Sequence, residues 1–263
     1  MDNRVATDLV QLYLTNAFDT LIPINLRWKL GGAGIGDPLL VWLCGFVADR
    51  SQQGDRLVVV QYVDDISILS PASDSSSCQH LQDYLEKVEH WALANHLHLS
   101  PNKSGVIRFS ASRKTDPPAY RLIGAILVPC KTLTILGVVF SSTLDFLAHI
   151  AGVVTRARRT LCFVGRVTKS CEPGALRTLY TALVVPTLEY CCSVWSTSQQ
   201  HLVDRNESVQ RRASRTICSR VGGNSFGPDT TYNDRLRTLG WRPLRHRRQV
   251  SRVSLACRVL TVI

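Results

Sequence analysis

The order of apolar and polar positions divides the chain into a first part with strand-like runs and a second part with helical periodicity. Two short apolar runs, residues 57–60 and 66–69, flank the tetrapeptide Tyr62-Val63-Asp64-Asp65. Runs of this kind, rich in β-branched residues, predict two strands joined as a hairpin. Asp-Asp is not a favoured turn pair in the way that Asn-Gly is, which indicates that the two carboxylates serve chemistry.

The rest of the first part alternates predicted helices and strands. Residues 39–47 predict a helix with Pro38 at an early position. Another helix is predicted after Asp74, a candidate N-cap, because apolar residues recur there at helical spacing. Short strands are predicted at about 97–99, 105–110 and 133–140.

The second part shows apolar residues at helical spacing throughout. One such stripe comprises Ile150, Val153, Val154, Ala157, Leu161 and Val164. Further helices are predicted at about 172–185, ended by Pro186, at about 200–219, and from about Pro243 onward. The expected fold class is therefore α+β, in which a small antiparallel sheet with packed helices is followed by a helical region.

The excess positive charge lies in the second part. Residues 1–150 hold 12 Lys and Arg against 14 Asp and Glu, whereas residues 151–263 hold 19 against 6, and 18 of those 19 are Arg. Arg makes bidentate contacts with phosphate, which Lys does poorly. The asymmetry predicts a polyanionic partner, most often nucleic acid, with solubility or an anionic membrane surface as the alternatives.

No feature of the sequence predicts secretion or membrane insertion. The first residues lack a signal-peptide layout, and the apolar stretches are interrupted before they reach about 18 residues. The nine cysteines include no C-x-x-C pair, so free thiols are expected rather than disulfides or zinc ligands. We expect an intracellular protein, in the nucleus or cytoplasm, with no membrane partner and no evident protein partner.

Two adjacent carboxylates at a hairpin turn have a specific chemical use. Like charges side by side are unfavourable unless a cation neutralises them. Mg²⁺ takes one or two carboxylates together with phosphate oxygens, and two such ions can activate a 3′-hydroxyl and stabilise the leaving pyrophosphate. Asp64 and Asp65 are therefore candidate catalytic metal ligands, although a lone Asp-Asp pair is also common in solvated turns.

Tyr62-Val63-Asp64-Asp65 resembles the Y-x-D-D box of reverse transcriptases, and its surroundings resemble the non-LTR (LINE-type) retrotransposon enzymes. The resemblance covers nearly the whole chain from about residue 9, and the common order of the matches supports it more than any single match. Further matching segments are Leu99-Ser100-Pro101-Asn102-Lys103-Ser104, Leu136-Gly137-Val138, Pro186-Thr187-Leu188-Glu189-Tyr190 and Leu239-Gly240-Trp241-Arg242-Pro243-Leu244.

The resemblance implies RNA-directed DNA synthesis from deoxynucleotides with Mg²⁺, on an RNA template and from a DNA primer. It implies a partial palm over residues 1–147 and a basic thumb-like region over 148–263. The implied roles are metal binding and catalysis for Asp64 and Asp65, substrate binding for Phe18, Lys103 and Tyr62, a primer grip at Leu136 and Gly137, and nucleic-acid binding for Arg211, Arg212 and Arg215.

Two departures from the family predict that this copy does not polymerise DNA. When the family's first aspartate box is aligned on residues 17–20, Tyr13 stands where the first catalytic aspartate belongs. The template-positioning box, expected before the strand at residue 57, has no counterpart between residues 54 and 56. Losing a single catalytic positioning group commonly costs about a thousandfold in rate, and the loss of a ligand also predicts weakened Mg²⁺ binding.

Two alternatives remain open at the level of sequence. The chain can be a non-catalytic nucleic-acid-binding module that uses its basic C-terminal helices, or a competent polymerase that borrows Asp8 or Asp19 as a third carboxylate. The deletion also predicts an exposed apolar surface around residues 58–60, because a helix beside the sheet is missing.

Overall fold

The computed structural model describes residues 6–15, 50–53, 57–62, 65–110, 116–221, 226 and 230–261. The helix predicted at 39–47 lies outside these residues. The chain forms two compact units, of which one comprises Met1–Ile135 with Phe140–Leu144 and the other Leu136–Val139 with Asp145–Ile263. The functional assignment of 1–147 as palm and 148–263 as thumb stays a prediction.

In its described residues, the first unit has a mostly antiparallel sheet, in which β6 and β9 pair parallel, with a helix packed on the sheet. The main sheet has the strand order β2-β3-β4-β1-β6-β9, and β5 also pairs with β1. The strands of the described part are β1 (Thr7–Thr15), β2 (Arg50–Gln53), β3 (Val58–Tyr62), β4 (Asp65–Pro71), β5 (His98–Leu99), β6 (Gly105–Phe109), β7 (Arg121–Leu122), β8 (Ala125–Ile126), β9 (Val128–Pro129), β10 (Thr132–Ile135) and β11 (Val138–Ser141).

Strand β1 occupies the middle of this sheet. It pairs antiparallel with β4 on one side and with β6 on the other. Val10 and Leu12 on β1 are completely buried, and both belong to the core formed with Ile68 of β4 and Val106 of β6. A strand with partners on both sides satisfies its backbone hydrogen bonds without water, which allows this burial.

Helix α1 (Ser75–Ala94) covers the core of the first unit. Asp74 caps it as predicted, because its carboxylate accepts a hydrogen bond from the backbone N–H of Ser77 at 2.7 Å. Leu81 and Leu85 are completely buried, so the predicted apolar face is confirmed. The helix ends at Asn95, and His96 follows in the left-handed conformation with φ of 59°.

The exposed surface predicted around residues 58–60 is present. Strand β3 alternates exposed and half-buried residues, and its outward side chains are Val58, Val60 and Tyr62. Val59 faces the other way and packs on the core. An exposed apolar face of this kind favours association with another protein surface, so it is expected to make the first unit prone to aggregation.

The second unit is helical. Helix α2 has the predicted stripe fully buried, from Ile150 to Val164, because these residues recur every three or four positions. The described helices are α2 (Leu147–Val167), α3 (Pro173–Leu179), α4 (Val185–Glu189), α5 (Cys192–Trp195), α6 (Gln200–Val221), α7 (Tyr232–Leu239) and α8 (Leu244–Thr261).

The prediction that Pro186 ends a helix is wrong. Helix α3 continues into a π-helical segment, Tyr180–Val184, in which the N–H of Val185 bonds to the carbonyl of Tyr180. This wider turn starts a new hydrogen-bonding register, so Pro186 falls in the first turn of α4. A missing N–H is tolerated in a first turn, and the chain therefore stays helical through the proline.

The single strand predicted at 133–140 is a hairpin of β10 and β11. Its turn residues, Leu136 and Gly137, have φ angles of 45° and 79°. Two consecutive left-handed residues are typical of the tight turn that matches the twist of paired strands. Periodicity did not reveal the break, because Leu136 continues the apolar pattern in a conformation that costs a leucine about 1 kcal/mol or more.

Candidate active site

The predicted carboxylate pair lies at the turn between β3 and β4. Tyr62, the last residue of β3, is paired with Asp65, the first residue of β4. Val63 and Asp64 form the connection and lie outside the described residues. Asp65 is half-buried, whereas Tyr62 is 57% exposed. The hairpin predicted from sequence is thus confirmed, and Asp65 lies at the end of its strand.

Strand β1 brings Tyr13 next to this carboxylate. Tyr13 is the register partner of Asp65 across the β1–β4 ladder. Residues directly opposite in an antiparallel pair have Cβ atoms about 5 Å apart and point to the same face of the sheet. The hydroxyl of Tyr13 donates a hydrogen bond to the carbonyl of Thr134 at 3.4 Å. A phenol therefore stands beside Asp65 at the place on β1 from which an acidic side chain would reach the same cation.

The segment that contains Lys103 is fixed against the same point of β1. The N–H of Ser100 donates to the carbonyl of Tyr13 at 2.9 Å, and the N–H of Tyr13 donates to the hydroxyl of Ser104 at 3.3 Å. Lys103 lies in the turn between these two serines and is exposed, and its amine has no hydrogen bond or ion pair within the described ranges. The predicted substrate residues Tyr62 and Lys103 are thus at the end of the sheet where Asp65 lies.

No group of three His, Cys, Asp or Glu side chains comes together in the part of the chain that the structure describes. Even with Asp64 next to Asp65, β1 contributes a neutral phenol rather than a third carboxylate. Tyrosine hydroxyls are poor ligands for Mg²⁺ at neutral pH, because their ordinary pKa is about 10.

Asp8, one of the two aspartates considered as a substitute ligand, serves a different purpose. It lies five residues from Tyr13 on β1, which is about 17 Å along a strand, and it is paired with Ser70 and Arg108 instead. The Arg108 guanidinium donates to both carboxylate oxygens of Asp8 at 2.6 and 2.7 Å. The hypothesis that Asp8 serves as the third carboxylate beside Asp65 is therefore wrong, because Asp8 lies too far along β1 and is paired with Arg108.

Tyr120 completes the network around Asp8. Its hydroxyl donates to a carboxylate oxygen of Asp8 at 2.7 Å, and the Asp8 side chain is completely buried. Burial, followed by the hydrogen bond to Asp8, raises the pKa of Tyr120 well above its ordinary value. The hydrogen bond to Asp8 likewise raises the pKa of Arg108. The network is a charged core element of the first unit, and sequence reasoning missed it.

The predicted primer grip lies in the second unit. The carbonyl of Leu136 accepts a hydrogen bond from the hydroxyl of Tyr190 at 2.9 Å, and a side chain added at Gly137 would meet the same Tyr190 ring at 3.5 Å. His149 accepts a hydrogen bond from the N–H of Val139 at 3.2 Å through Nδ1. Burial lowers the pKa of His149, which keeps Nδ1 available as an acceptor. The turn is thus held from two sides.

The remaining predicted site residues have different outcomes. Phe18 and Asp19 lie outside the described residues. Arg211 is engaged within its unit, because it contacts Asp204 at 3.2 Å and stacks over the Tyr232 ring at 5.4 Å from its centroid. Arg212 and Arg215 are exposed on α6. The nucleic-acid-binding role of these three arginines stays a prediction.

A positively charged groove lies between α2 and α6, and the sequence analysis did not predict it. It measures about 780 Å³, and five arginines stand among its eleven lining residues. The charges on α2 were visible in the sequence as four arginines without an acidic residue. Their alignment with arginines of α6, more than forty residues later, depends on tertiary packing. The lining arginines are Arg158, Arg159, Arg166, Arg212 and Arg220.

Comparison with known proteins gives one informative likeness. No family model matches the chain. The chain is 24% identical over 187 residues to a protein from Drosophila melanogaster described as a probable RNA-directed DNA polymerase from transposon X-element. The likeness is to a transposon polymerase. The match covers 68% of this chain and 20% of that relative, so the chain spans about a fifth of the length of the curated relative it matches.

This likeness confirms the coarse part of the sequence-based interpretation. The chain is distantly similar to a transposon RNA-directed DNA polymerase. Its mixed architecture of small sheets and helices agrees with the α+β class. None of the helices in the described ranges is both long and apolar enough to cross a membrane. The metal, the nucleic-acid partners and the roles of single residues stay predictions.

Proposed function

We propose that this chain is a reverse-transcriptase-derived protein of a non-LTR retrotransposon that no longer polymerises DNA. The first half of the proposal is supported by the likeness to a transposon RNA-directed DNA polymerase. The second half rests on one observation, the pairing of Tyr13 with Asp65. A family member would place its first catalytic aspartate there, facing the carboxylates of the hairpin.

Phosphoryl transfer by two metal ions explains why this replacement matters. Each ion must be held in line with the attacking hydroxyl or the leaving pyrophosphate, and a third carboxylate shared between the ions normally fixes both. A phenol beside Asp65 adds no negative charge at neutral pH, so the site attracts divalent cations less strongly. The repulsion between the carboxylates of Asp64 and Asp65 is then neutralised less completely. The missing template-positioning box, a feature of the sequence before residue 57, adds a second defect.

Primer extension on the purified chain tests the proposal. A labelled DNA primer annealed to an RNA template is incubated with deoxynucleotides and either Mg²⁺ or Mn²⁺, beside an intact relative as the positive control. We expect no extension above the level of an Asp65→Asn variant. Extension by the unaltered chain that is abolished by Asp65→Asn would overturn the proposal and support a competent polymerase with a borrowed carboxylate.

The borrowed carboxylate in that outcome would be Asp19 rather than Asp8. Asp8 is held in its buried ion pair with Arg108 at the far end of β1. An Asp19→Asn variant that extends primers as well as the unaltered chain would remove Asp19 from this role as well.

A second candidate function is nucleic-acid binding without catalysis. The observation that favours it is the basic second part of the chain, with 19 Lys and Arg against 6 Asp and Glu over residues 151–263. Binding through such charges releases counterions and therefore weakens steeply as salt increases. A retention assay with RNA that shows no binding, or binding insensitive to salt, would exclude this candidate.

A further inference from the structure

The arginine groove between α2 and α6 has cations on both walls. The side chain of Arg158 in α2 donates to the Ser208 hydroxyl of α6 at 2.9 Å, and further along both helices Arg220 of α6 donates to the carbonyl of Gly165 in α2 at 2.9 Å. Residue numbers therefore increase together along the two helices, which run in the same direction. Arg158, Arg159 and Arg166 thus line one wall. Arg212 and Arg220 line the other.

Three of these arginines have side chains that no described residue neutralises. The guanidinium groups of Arg159, Arg166 and Arg212 make no hydrogen bond or ion pair within the described residues. Arg220 differs, since it donates to the carbonyls of Gly165 and Thr168 and caps the end of α2. No aspartate or glutamate lines the groove. Like charges gathered without counter-charge are unfavourable in the free protein, so an external anion stabilises them.

The groove lacks the side chains that bases need. No Phe, Tyr, Trp or His is among its lining residues, which are arginines, threonines, two leucines, a glycine and a cysteine. Proteins that hold single strands by their bases stack those bases on aromatic rings. Arg158 and Arg166 are eight residues apart, which is about 12 Å on a helix. That length spans more than one phosphate of a strand.

From these observations we infer that the α2–α6 groove binds the sugar-phosphate backbone of nucleic acid and is indifferent to the bases. The inference rests on the second candidate function and locates its site. It replaces the predicted surface of Arg211, Arg212 and Arg215 by one in which only Arg212 is shared. Loss of polymerisation is a separate matter, because backbone binding by the second unit needs neither Asp64 nor a metal ion.

The first test compares affinity for a short RNA strand with affinity for an abasic strand of equal length, about 16 nucleotides. We expect affinities within about twofold of each other, because only phosphates are contacted. An abasic strand that binds about tenfold more weakly would overturn the inference, since stacking is worth about 1–3 kcal/mol per base.

A charge-matched pair of variants then locates the site. The groove variant is Arg159→Gln, Arg166→Gln and Arg212→Gln together, and we expect its affinity to fall about tenfold and its salt slope to fall by about 2. The control variant changes Arg245, Arg252 and Arg258 of α8 to Gln, which are exposed and outside the groove. An equal loss in both variants would overturn the inference, because it would mean that charge alone binds RNA.

A third measurement needs no substitution. Cys162 is exposed and lines the groove, whereas Cys257 is exposed on α8. We expect RNA to slow alkylation of Cys162, followed by mass spectrometry, while Cys257 reacts as before. Equal reaction of Cys162 with and without bound RNA would overturn the groove as the site. Protection of Cys162 by phosphatidylserine vesicles but not by RNA would assign the groove to a membrane surface and overturn the inference too.

Discussion

The two ends of β1 show how differently a carboxylate can be treated in one sheet. At one end, Asp8 is completely buried and each of its oxygens accepts hydrogen bonds from Arg108 or Tyr120. At the other end, Asp65 is half-buried beside two tyrosines, Tyr13 and Tyr62, on the neighbouring strands. The first arrangement commits the Asp8 carboxylate to Arg108 and Tyr120, whereas Asp65 lies opposite Tyr13, at the other end of β1.

The comparison sets a structural carboxylate, Asp8, beside Asp65, for which we propose a metal-binding role. A buried ion pair requires all its hydrogen bonds, because a partner lost in a low-dielectric core leaves an uncompensated charge. A carboxylate that is to bind metal must instead stay accessible, and its neighbours decide whether the ion is held. Asp8 meets the first description. For Asp65, which lies opposite Tyr13, we propose the second role.

The largest effect is expected at the buried end. Asp8→Asn removes the charge that Arg108 requires, so we expect the free energy of unfolding to fall by about 3–5 kcal/mol, measured by urea denaturation. A triple variant, Asp8→Leu with Arg108→Met and Tyr120→Phe, should recover most of the loss because both charges and the hydroxyl that donates to Asp8 leave together. A loss below about 1 kcal/mol for Asp8→Asn would show that the two ends of β1 do not differ in this way.

A smaller effect is expected when only the phenol of this network is altered. Tyr120→Phe removes one hydrogen bond to a charged acceptor and should cost about 2 kcal/mol near neutral pH. Because the folded-state pKa of Tyr120 is raised, its stabilisation is present below the ordinary tyrosine pKa of about 10 and is lost as pH rises above it.

The pH dependence provides the control for that variant. The difference in unfolding free energy between the unaltered chain and Tyr120→Phe should shrink as the pH is raised from 8 to 11, about one pH unit beyond the ordinary pKa. A difference that stays constant over this range would show that folding does not raise the pKa of Tyr120. Tyr180 and Tyr232, whose pKa values burial also raises, are present in both proteins and cancel.

The smallest effect is expected at the Asp65 end of the sheet. Tyr13→Phe removes a hydrogen bond to Thr134 that is long, at 3.4 Å, and exposed. We expect a change below about 0.5 kcal/mol in the same denaturation experiment. If the free energy of unfolding fell as much as in Tyr120→Phe, the Tyr13 hydroxyl would be important for the stability of the fold.

Local patterns predicted much of the fold. Asp74 caps α1, and the β3–β4 hairpin places Asp65 at its turn, because capping and strand length are properties of neighbouring residues. The buried stripe of α2 followed from helical spacing in the same way. Pro186 was misjudged because the π-helical segment before it depends on packing rather than on local preference.

The contacts that give the site its character could not be predicted in this way. Asp8 and Arg108 are a hundred residues apart, and only the pairing of β1 with β6 brings them together. The arginine groove has the same origin, since Arg166 and Arg212 belong to helices whose packing no pattern in either helix specifies. The replacement that we propose at Tyr13 could be predicted from sequence because it depends on the order of motifs along the chain rather than on packing.

Manganese titration of the unaltered chain and of Tyr13→Asp tests most directly whether a missing carboxylate disables the site, with Tyr13→Asn as the neutral control. We expect Tyr13→Asp to bind Mn²⁺ about tenfold more tightly, because an added charge about 4 Å away is worth about 1 kcal/mol in water and more at a protein surface. Tyr13→Asn should show no gain. Two tightly bound Mn²⁺ ions in the unaltered chain, with no further gain in Tyr13→Asp, would contradict the loss of the metal site.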